Sequence, residues 1–270
     1  MSAEILWEEI NNKKTIELTV ALPALNSKKI IWIALESLKN QIDINFGWEL
    51  IIWEEFGESI DIIKSFYGLL PNCQKIKYRN IPAKIPLMHK WVGIAKDCDP
   101  QSTVYVMQAA DCYSPKKRLK IHYEHFKNPL CMFSTQDTGL FYNLLTSQQI
   151  IYHYPQRFIN LNMAYKVDDF KKVPTCSLRS GIDTYIRENI DKIRKGVVLR
   201  AKQIDPDSWK YGIDTDGANN ISIARRRFYN NINKPFVSLE YGQKNLGYTK
   251  MEDYIPKNVQ EFLINYNKSE

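Results

Sequence analysis

Apolar positions in the first part of the chain switch between a strand-like and a helix-like period. Residues 16–22 (IELTVAL) form a nearly continuous β-rich run, expected to stop at Pro23. Asn26 or Ser27 then stands where a helix cap belongs, ahead of Ile31, Leu35 and Leu38 at helical spacing. Residues 48–53 (WELIIW) read as a second short strand, ending in Glu54, Glu55, Phe56, Gly57, Glu58 and Ser59. Ile60, Ile63, Phe66 and Leu70 mark a second helix, residues 75–78 a weak third strand, and Leu87, Trp91, Ile94 and Cys98 a third helix. Residues 103–108 (TVYVMQ) read as a fourth strand, running into Ala109, Ala110, Asp111, Cys112, Tyr113, Ser114 and Pro115. Such alternation predicts an α/β fold with a parallel sheet covered on both faces. Ligands of such sheets bind beyond the carboxyl ends of the strands. Residues 23–26, 54–59 and 109–115 therefore share one rim.

The pattern changes beyond that point. A helix is expected over 116–126, then strand-like pieces at 130–134, 140–145, 150–154 and 162–167 that look antiparallel. A helix over 183–195, a polar stretch over 205–222 and a short helix over 258–266 complete the chain. No repeat or linker interrupts it, so a single domain over 1–270 is expected.

Composition narrows the class. The chain has 270 residues, 44% hydrophobic and 25% charged, which excludes a disordered or coiled-coil protein. No apolar run approaches the ~18–20 residues of a membrane helix. The start, MSAEILWEEINNKK, does not read as a secretory signal, and a cytoplasmic chain (host cytoplasm for a viral gene) is expected. Cys73, Cys98, Cys112, Cys131 and Cys176 contain no CxxC pair and read as reduced, mostly buried thiols. The net charge of +7 is dispersed, and the basic runs at 116–120 and 225–227 are too short for a nucleic-acid arm, so no nucleic-acid partner is expected. GxGxxG after the first strand, GxxxxGK[ST] and GxSxG are all absent, which argues against dinucleotide-binding, P-loop and α/β-hydrolase chemistry. His122 and His125 lie three apart without a third metal ligand nearby, and read as ordinary helix-face histidines.

Three rim segments together carry a resemblance. Residues 18–55 read LTVALPALNSKKIIWIALESLKNQ…WELIIWEE, with Pro23 and Asn26 after the first strand, Leu35–Gln41 on a helix and paired acids Glu54 and Glu55 after the second strand. Residues 107–119 read MQAADCYSPKKRL, and Gly181, Ile182 and Asp183 follow the segment NMAYK at 162–166. In this order they resemble family 2 glycosyltransferases of the GT-A fold, over roughly residues 15–195. The chain departs from that pattern at Gln108 and Ala110, which hold places often taken by Asp, and at Phe56, inserted before Gly57.

The resemblance implies a Rossmann-like, mostly parallel sheet with a smaller antiparallel acceptor-side portion. About 15–115 would be the nucleotide half, about 116–250 the acceptor half and 251–270 a helical tail. It implies transfer of a sugar from a nucleotide-diphosphate donor to a hydroxyl on a glycan, lipid or protein, with inversion and a divalent metal, Mn²⁺ or Mg²⁺. Asp111 would hold the metal, since hard cations take carboxylate oxygens; the other reading of Asp111 is a helix cap. Asp183 would be the general base, or only a helix-start acid. Pro23, Leu25, Asn26, Glu54, Glu55, Lys90, Gln108 and Ala109 would surround the nucleotide. Asp214, Asn219, Asn220 and Arg225 would line a donor or acceptor loop, the other reading being a turn-rich surface segment. A catalytically silent nucleotide- or glycan-binding module on the same scaffold is the alternative.

Overall fold

The computed structural model describes residues 4–11, 13–135, 138–143, 149–153, 163–178, 181–194, 199–202, 213–216, 244–245 and 256–265. Strand β2 (Ile16–Leu25) and strand β3 (Gly47–Glu55) are buried along almost their whole length, as strands covered on both faces must be. Helix α1 (Ile31–Lys39) joins them, helix α2 (Ile60–Ser65) leads from β3 to β4 (Cys73–Ile81), and helix α3 (Leu87–Lys96) leads to β5 (Val104–Met107). These four strands pair in parallel in the order β4-β3-β2-β5. Strand β1 (Glu4–Ile10), unforeseen in the sequence, lies antiparallel on the β4 edge, where Lys75 pairs with Glu8 at 2.8 Å.

After β5 come β6 (Cys112–Tyr113), α4 (Arg118–Phe126), β7 (Cys131–Thr135), β8 (Thr138–Asn143), β9 (Gln149–His153), β10 (Ala164–Lys166), α5 (Val167–Phe170), α6 (Ile182–Ile193), β11 (Leu199–Lys202), β12 (Ile213–Asp216), β13 (Lys244–Asn245) and α7 (Lys257–Asn265). The strand-like pieces expected to be antiparallel divide between two sheets. β10 inserts antiparallel between β5 and β7, and β11 pairs parallel with β7, which completes an eight-stranded sheet in the order β1-β4-β3-β2-β5-β10-β7-β11. The β8–β9 hairpin is antiparallel as expected, in a second sheet ordered β13-β9-β8-β12-β6.

Both faces of the main sheet are covered. Leu18, Val20, Leu22, Leu50 and Ile52 pack with α1, Ile63 of α2 and Leu119 of α4. Ala21, Ile51, Tyr105 and Tyr165 pack with Met88 and Trp91 of α3, Phe170 of α5, and Ile186 and Ile190 of α6. Phe262 of α7 meets Trp32 of α1 edge-on at 4.8 Å. Among the described residues no helix is long and apolar enough to cross a membrane.

Two sequence expectations change. Strand β2 does not stop at Pro23 but continues to Leu25. Ala21 O accepts from Gln108 N at 2.9 Å, and the ladder to β5 ends at that register. Pro23, two residues on, faces the same side, where no strand follows, so its missing N–H is not needed. Asn26 and Ser27 do not cap α1, which starts at Ile31 without a side-chain cap. The Ser27 carbonyl instead accepts from Ile30 N and Ile31 N, both at 2.8 Å, and its hydroxyl turns toward Glu54.

Candidate functional site

The parallel strands end together on the rim the sequence points to. Leu25 faces Glu55 in register, and Asn26 N donates to Glu55 O at 2.9 Å. The next residues, Asn26 (φ 43°) and Phe56 (φ 49°), both take the left-handed conformation, which costs a non-glycine residue energy. Phe56 is held there by its N–H to Ile81 O at 3.0 Å. Leu25 and Phe56 remain 46% and 51% exposed, so the rim carries apolar side chains that the core does not claim. Pro23, by contrast, is buried.

The two acids after β3 are both internal. Glu54 is fully buried and accepts from Ser27 N (2.8 Å), Ser27 Oγ (2.7 Å), Ser59 Oγ (2.8 Å), Ser59 N (3.3 Å) and Tyr78 OH (2.8 Å). Five protein donors fill its oxygens, so Glu54 fastens the rim loops together rather than facing a ligand. Burial and the Glu54 carboxylate together push the Tyr78 phenol well up. Glu55 pairs with Lys90 at 2.8 Å, and Lys90 Nζ also donates to Ala24 O at 3.0 Å. Burial pushes the Lys90 ammonium down, and the Glu55 carboxylate opposes that shift. Both ends of this pair are buried, so Lys90 ties α3 to the ends of β2 and β3.

The turn after β5 is built on a buried cation. Arg118, the first residue of α4, has no exposed surface. Its guanidinium donates to Gln108 Oε1 (2.6 Å), Ser114 Oγ (2.7 Å) and Met107 O, and lies 3.4 Å from His122 Nε2. Gln108 in turn donates through Nε2 to the Ala109 and Cys112 carbonyls, each at 2.8 Å. Gln41, at the end of α1, donates to Pro115 O at 2.8 Å and accepts from Leu119 N at 3.0 Å. Burial lowers the Arg118 pKa to about 9. Ala109, Ala110 and Asp111 form the partly exposed crest of this turn, and Asp111 Oδ1 accepts from Cys112 Sγ at 3.4 Å.

Asp183 lies in the first turn of α6, after Gly181, whose φ of 72° suits glycine. At the other end of α6, Arg194 pairs with Asp169 of α5 at 2.5 Å. That end belongs to the amino side of β5, because Val167 N donates to Thr103 O at 3.0 Å. The 12 residues of α6 span roughly 18 Å. Asp183 therefore sits at the end of α6 remote from the Arg194–Asp169 pair, with the positive end of the helix dipole beneath its carboxylate. Asp214 lies on β12, whose backbone pairs with Cys112 of β6 and so adjoins the turn after β5. Asn219, Asn220 and Arg225 lie outside the described residues.

Among the described residues the turn after β5 is poor in ligands for a divalent cation. Gln108 spends its oxygen on Arg118 and Ser114, Ala110 offers no side-chain donor, and Asp111 is the one carboxylate of residues 108–114. A guanidinium within 2.6 Å of Gln108 Oε1 would repel a dication. Among the described residues no group of three or more His, Cys, Asp or Glu could hold a metal. His122 and His125 both turn Nδ1 to Ser134 Oγ, at 2.8 and 2.6 Å, and burial lowers the His125 pKa. The five cysteines are free thiols, and burial raises Cys73 and Cys98 to about 12, as suits inert core groups. A cleft of about 630 Å³ lined by Asn11, Lys13, Tyr67 and Gln74 lies at the opposite, amino side of the sheet.

The fold gives Ser27, Ser59, Tyr78 and Arg118 roles at this rim that their positions in the sequence do not announce. One signal was present: Ser114, Arg118 and His122 recur every four residues, the spacing of one helix face.

A parallel β4-β3-β2-β5 core, extended by an antiparallel β10 and the β7–β11 pair, is the GT-A fold. Among solved structures the chain is similar to S. aureus TarS 1-349 in complex with UDP, at TM-score 0.56 and 14% identity, covering 75% of this chain and 61% of that one. TarS 1-349 in complex with UDP-GlcNAc gives 0.57, 14%, 76% and 60%. Mannosyltransferase PcManGT from Pyrobaculum calidifontis, in complex with GDP-Man and Mn²⁺, gives 0.55, 10%, 80% and 60%. The chain thus spans about three fifths of the length of these structures. No protein-family model matches the sequence, and no curated protein matches it.

Proposed function

We propose that this chain transfers a glycosyl group from a nucleoside-diphosphate sugar to a hydroxyl acceptor on a glycan, lipid or protein. One observation carries the reading: the carboxyl ends of β2, β3 and β5 lie side by side, with the partly exposed turns after them on one rim of the sheet. Solved structures with this fold hold UDP, UDP-GlcNAc and GDP-Man, which supports a nucleotide on that rim. The base lies against Leu25 and Phe56, whose exposed apolar faces suit a flat heterocycle. Asn26 and the Ala109–Ala110 backbone border the ribose and diphosphate. Asp111 accepts from donor-sugar hydroxyls.

Asp183 acts as general base. Its carboxylate takes the proton of the acceptor hydroxyl as that oxygen forms a bond to the anomeric carbon. The bond between that carbon and the diphosphate oxygen breaks on the opposite side. The electron pair leaves with the nucleoside diphosphate, and the configuration inverts.

The sparse acids of the β5 turn favour a second reading, a module that binds nucleotide sugars without turning them over. Release of free nucleoside diphosphate from UDP-GlcNAc or GDP-Man in the presence of glycan acceptors separates the two. The transferase reading expects release, lowered by about 10²–10⁴-fold in Asp183→Asn with donor affinity kept. Tight donor binding without release for wild type would favour the silent module.

A further inference from the structure

We propose that the buried guanidinium of Arg118 stands in for a divalent cation, so that this chain holds a nucleoside diphosphate without metal. The inference rests on the transferase reading and deepens it.

Arg118 is fully buried, and among the described residues no carboxylate lies within ion-pair distance of it. Its partners are the Gln108 amide, the Ser114 hydroxyl, the Met107 carbonyl and the His122 ring, all formally neutral acceptors. A buried charge that is hydrogen-bonded but has no counter-charge is costly and calls for a compensating anion. The guanidinium fixes its charge at the carboxyl end of β5, directly behind the turn that faces the ligand rim. A side chain walled off from water projects its field through low-dielectric protein, where it is weakly screened.

The same residues that are poor metal ligands leave this charge unneutralised. An acid at Gln108 would form an ion pair with Arg118 at 2.6 Å and cancel it; the amide instead relays it. A diphosphate carries its charge on the two phosphates that would lie against the 108–111 turn. Arg118 reaches them through Gln108, Ser114 and the turn, without touching them, and is therefore a positioning residue.

The test is calorimetric titration of UDP, UMP, GDP and GMP into the full chain, in EDTA and again with Mn²⁺. Wild type, Arg118→Met, Arg118→Lys and Gln108→Glu are compared. Gln108→Glu is close to isosteric and gains an ion pair with Arg118, which offsets the loss of its Nε2 donation to the Ala109 and Cys112 carbonyls; the circular dichroism spectrum of each variant reports its folding, and only folded variants are titrated. The proposal expects wild type to bind one diphosphate with Kd in EDTA and in Mn²⁺ within about twofold. It expects Gln108→Glu and folded Arg118→Met to weaken the diphosphate by about tenfold in EDTA while moving the monophosphate far less, and Arg118→Lys to recover most of the loss. The diphosphate-specific loss should shrink as salt rises. Diphosphate binding that requires Mn²⁺, or Gln108→Glu binding like wild type in EDTA, overturns the proposal and leaves the transferase reading standing. Absence of nucleotide binding under every condition overturns both.

Discussion

Glu54 shows how far residue type alone misleads at a rim. Two adjacent acids after a strand read as two ligand contacts, yet Glu54 accepts from five protein donors and Glu55 is sealed against Lys90. Sequence fixes where such acids sit along the chain; which donors surround them depends on loops that close only in the fold. Removing Glu54 leaves those donors buried and unsatisfied, so Glu54→Ala should lower stability by about 2–4 kcal/mol in urea denaturation. Phe56 runs the other way. It breaks the resembled pattern by insertion, and the structure leaves it half-exposed on a left-handed backbone at the rim. Phe56→Ala should weaken every nucleotide by about 1–2 kcal/mol in titration, with no loss of stability. Glu49 is a third case, away from the rim. Burial pushes its carboxyl above the ordinary range, although Thr19 Oγ1 (2.6 Å) and Asp99 N (2.7 Å) donate to Oε1; among the described residues Oε2 has no partner. With a raised folded-state pKa, the folded chain holds a proton that the unfolded chain has lost. Stability is therefore fullest below the unfolded value of 4.5 and falls as pH rises through the raised one. Glu49→Gln should raise the melting temperature relative to wild type more at about pH 8 than at about pH 5.

At the scale of elements, strands and helices with strong periodicity were legible and those set by neighbours were not. β2, β3, α3 and α6 fall within a few residues of their hydrophobic patterns. β1 was missed because a single edge strand with charged positions carries little signal, and its pairing with β4 is a long-range fact. Pro23 was misread because whether a strand tolerates proline depends on where the next strand ends. The same dependence governs Gly93. In the middle of α3 it invites replacement by alanine on helix propensity. A Cβ there would come within 2.3 Å of the Trp53 ring of β3, whose Nε1 donates to Asp97 at 3.4 Å and whose face carries the Arg79 guanidinium at 5.5 Å. Gly93→Ala should therefore destabilise the chain, by about 1–3 kcal/mol in denaturant unfolding, despite the helical gain. The dipole argument for Asp183 also belongs to this scale: the helix is legible, but that its far end is tied to α5 by the Arg194–Asp169 pair is a fact of the fold.

For the whole molecule, strand order turns scattered motifs into one site. Residues 23–26, 54–59 and 108–114 are separated by tens of positions in sequence, yet β2 is flanked by β3 and β5, so they end side by side. That much of the fold and rim was readable from alternation of periods and the rule that ligands sit beyond the carboxyl ends. The charge logic was not, because a buried arginine and a surface arginine are the same letter. If the rim is a nucleoside-diphosphate site, occupancy links to folding and must raise stability. The most direct test is therefore a thermal-unfolding titration of wild type with UDP, GDP, UDP-GlcNAc and GDP-Man, each in EDTA and in Mn²⁺. We predict that at least one diphosphate raises the melting temperature by a few degrees, about 2.7 kcal/mol at a hundred times Kd, and does so in EDTA. No shift with any of them, with or without metal, would contradict a nucleotide site on this rim.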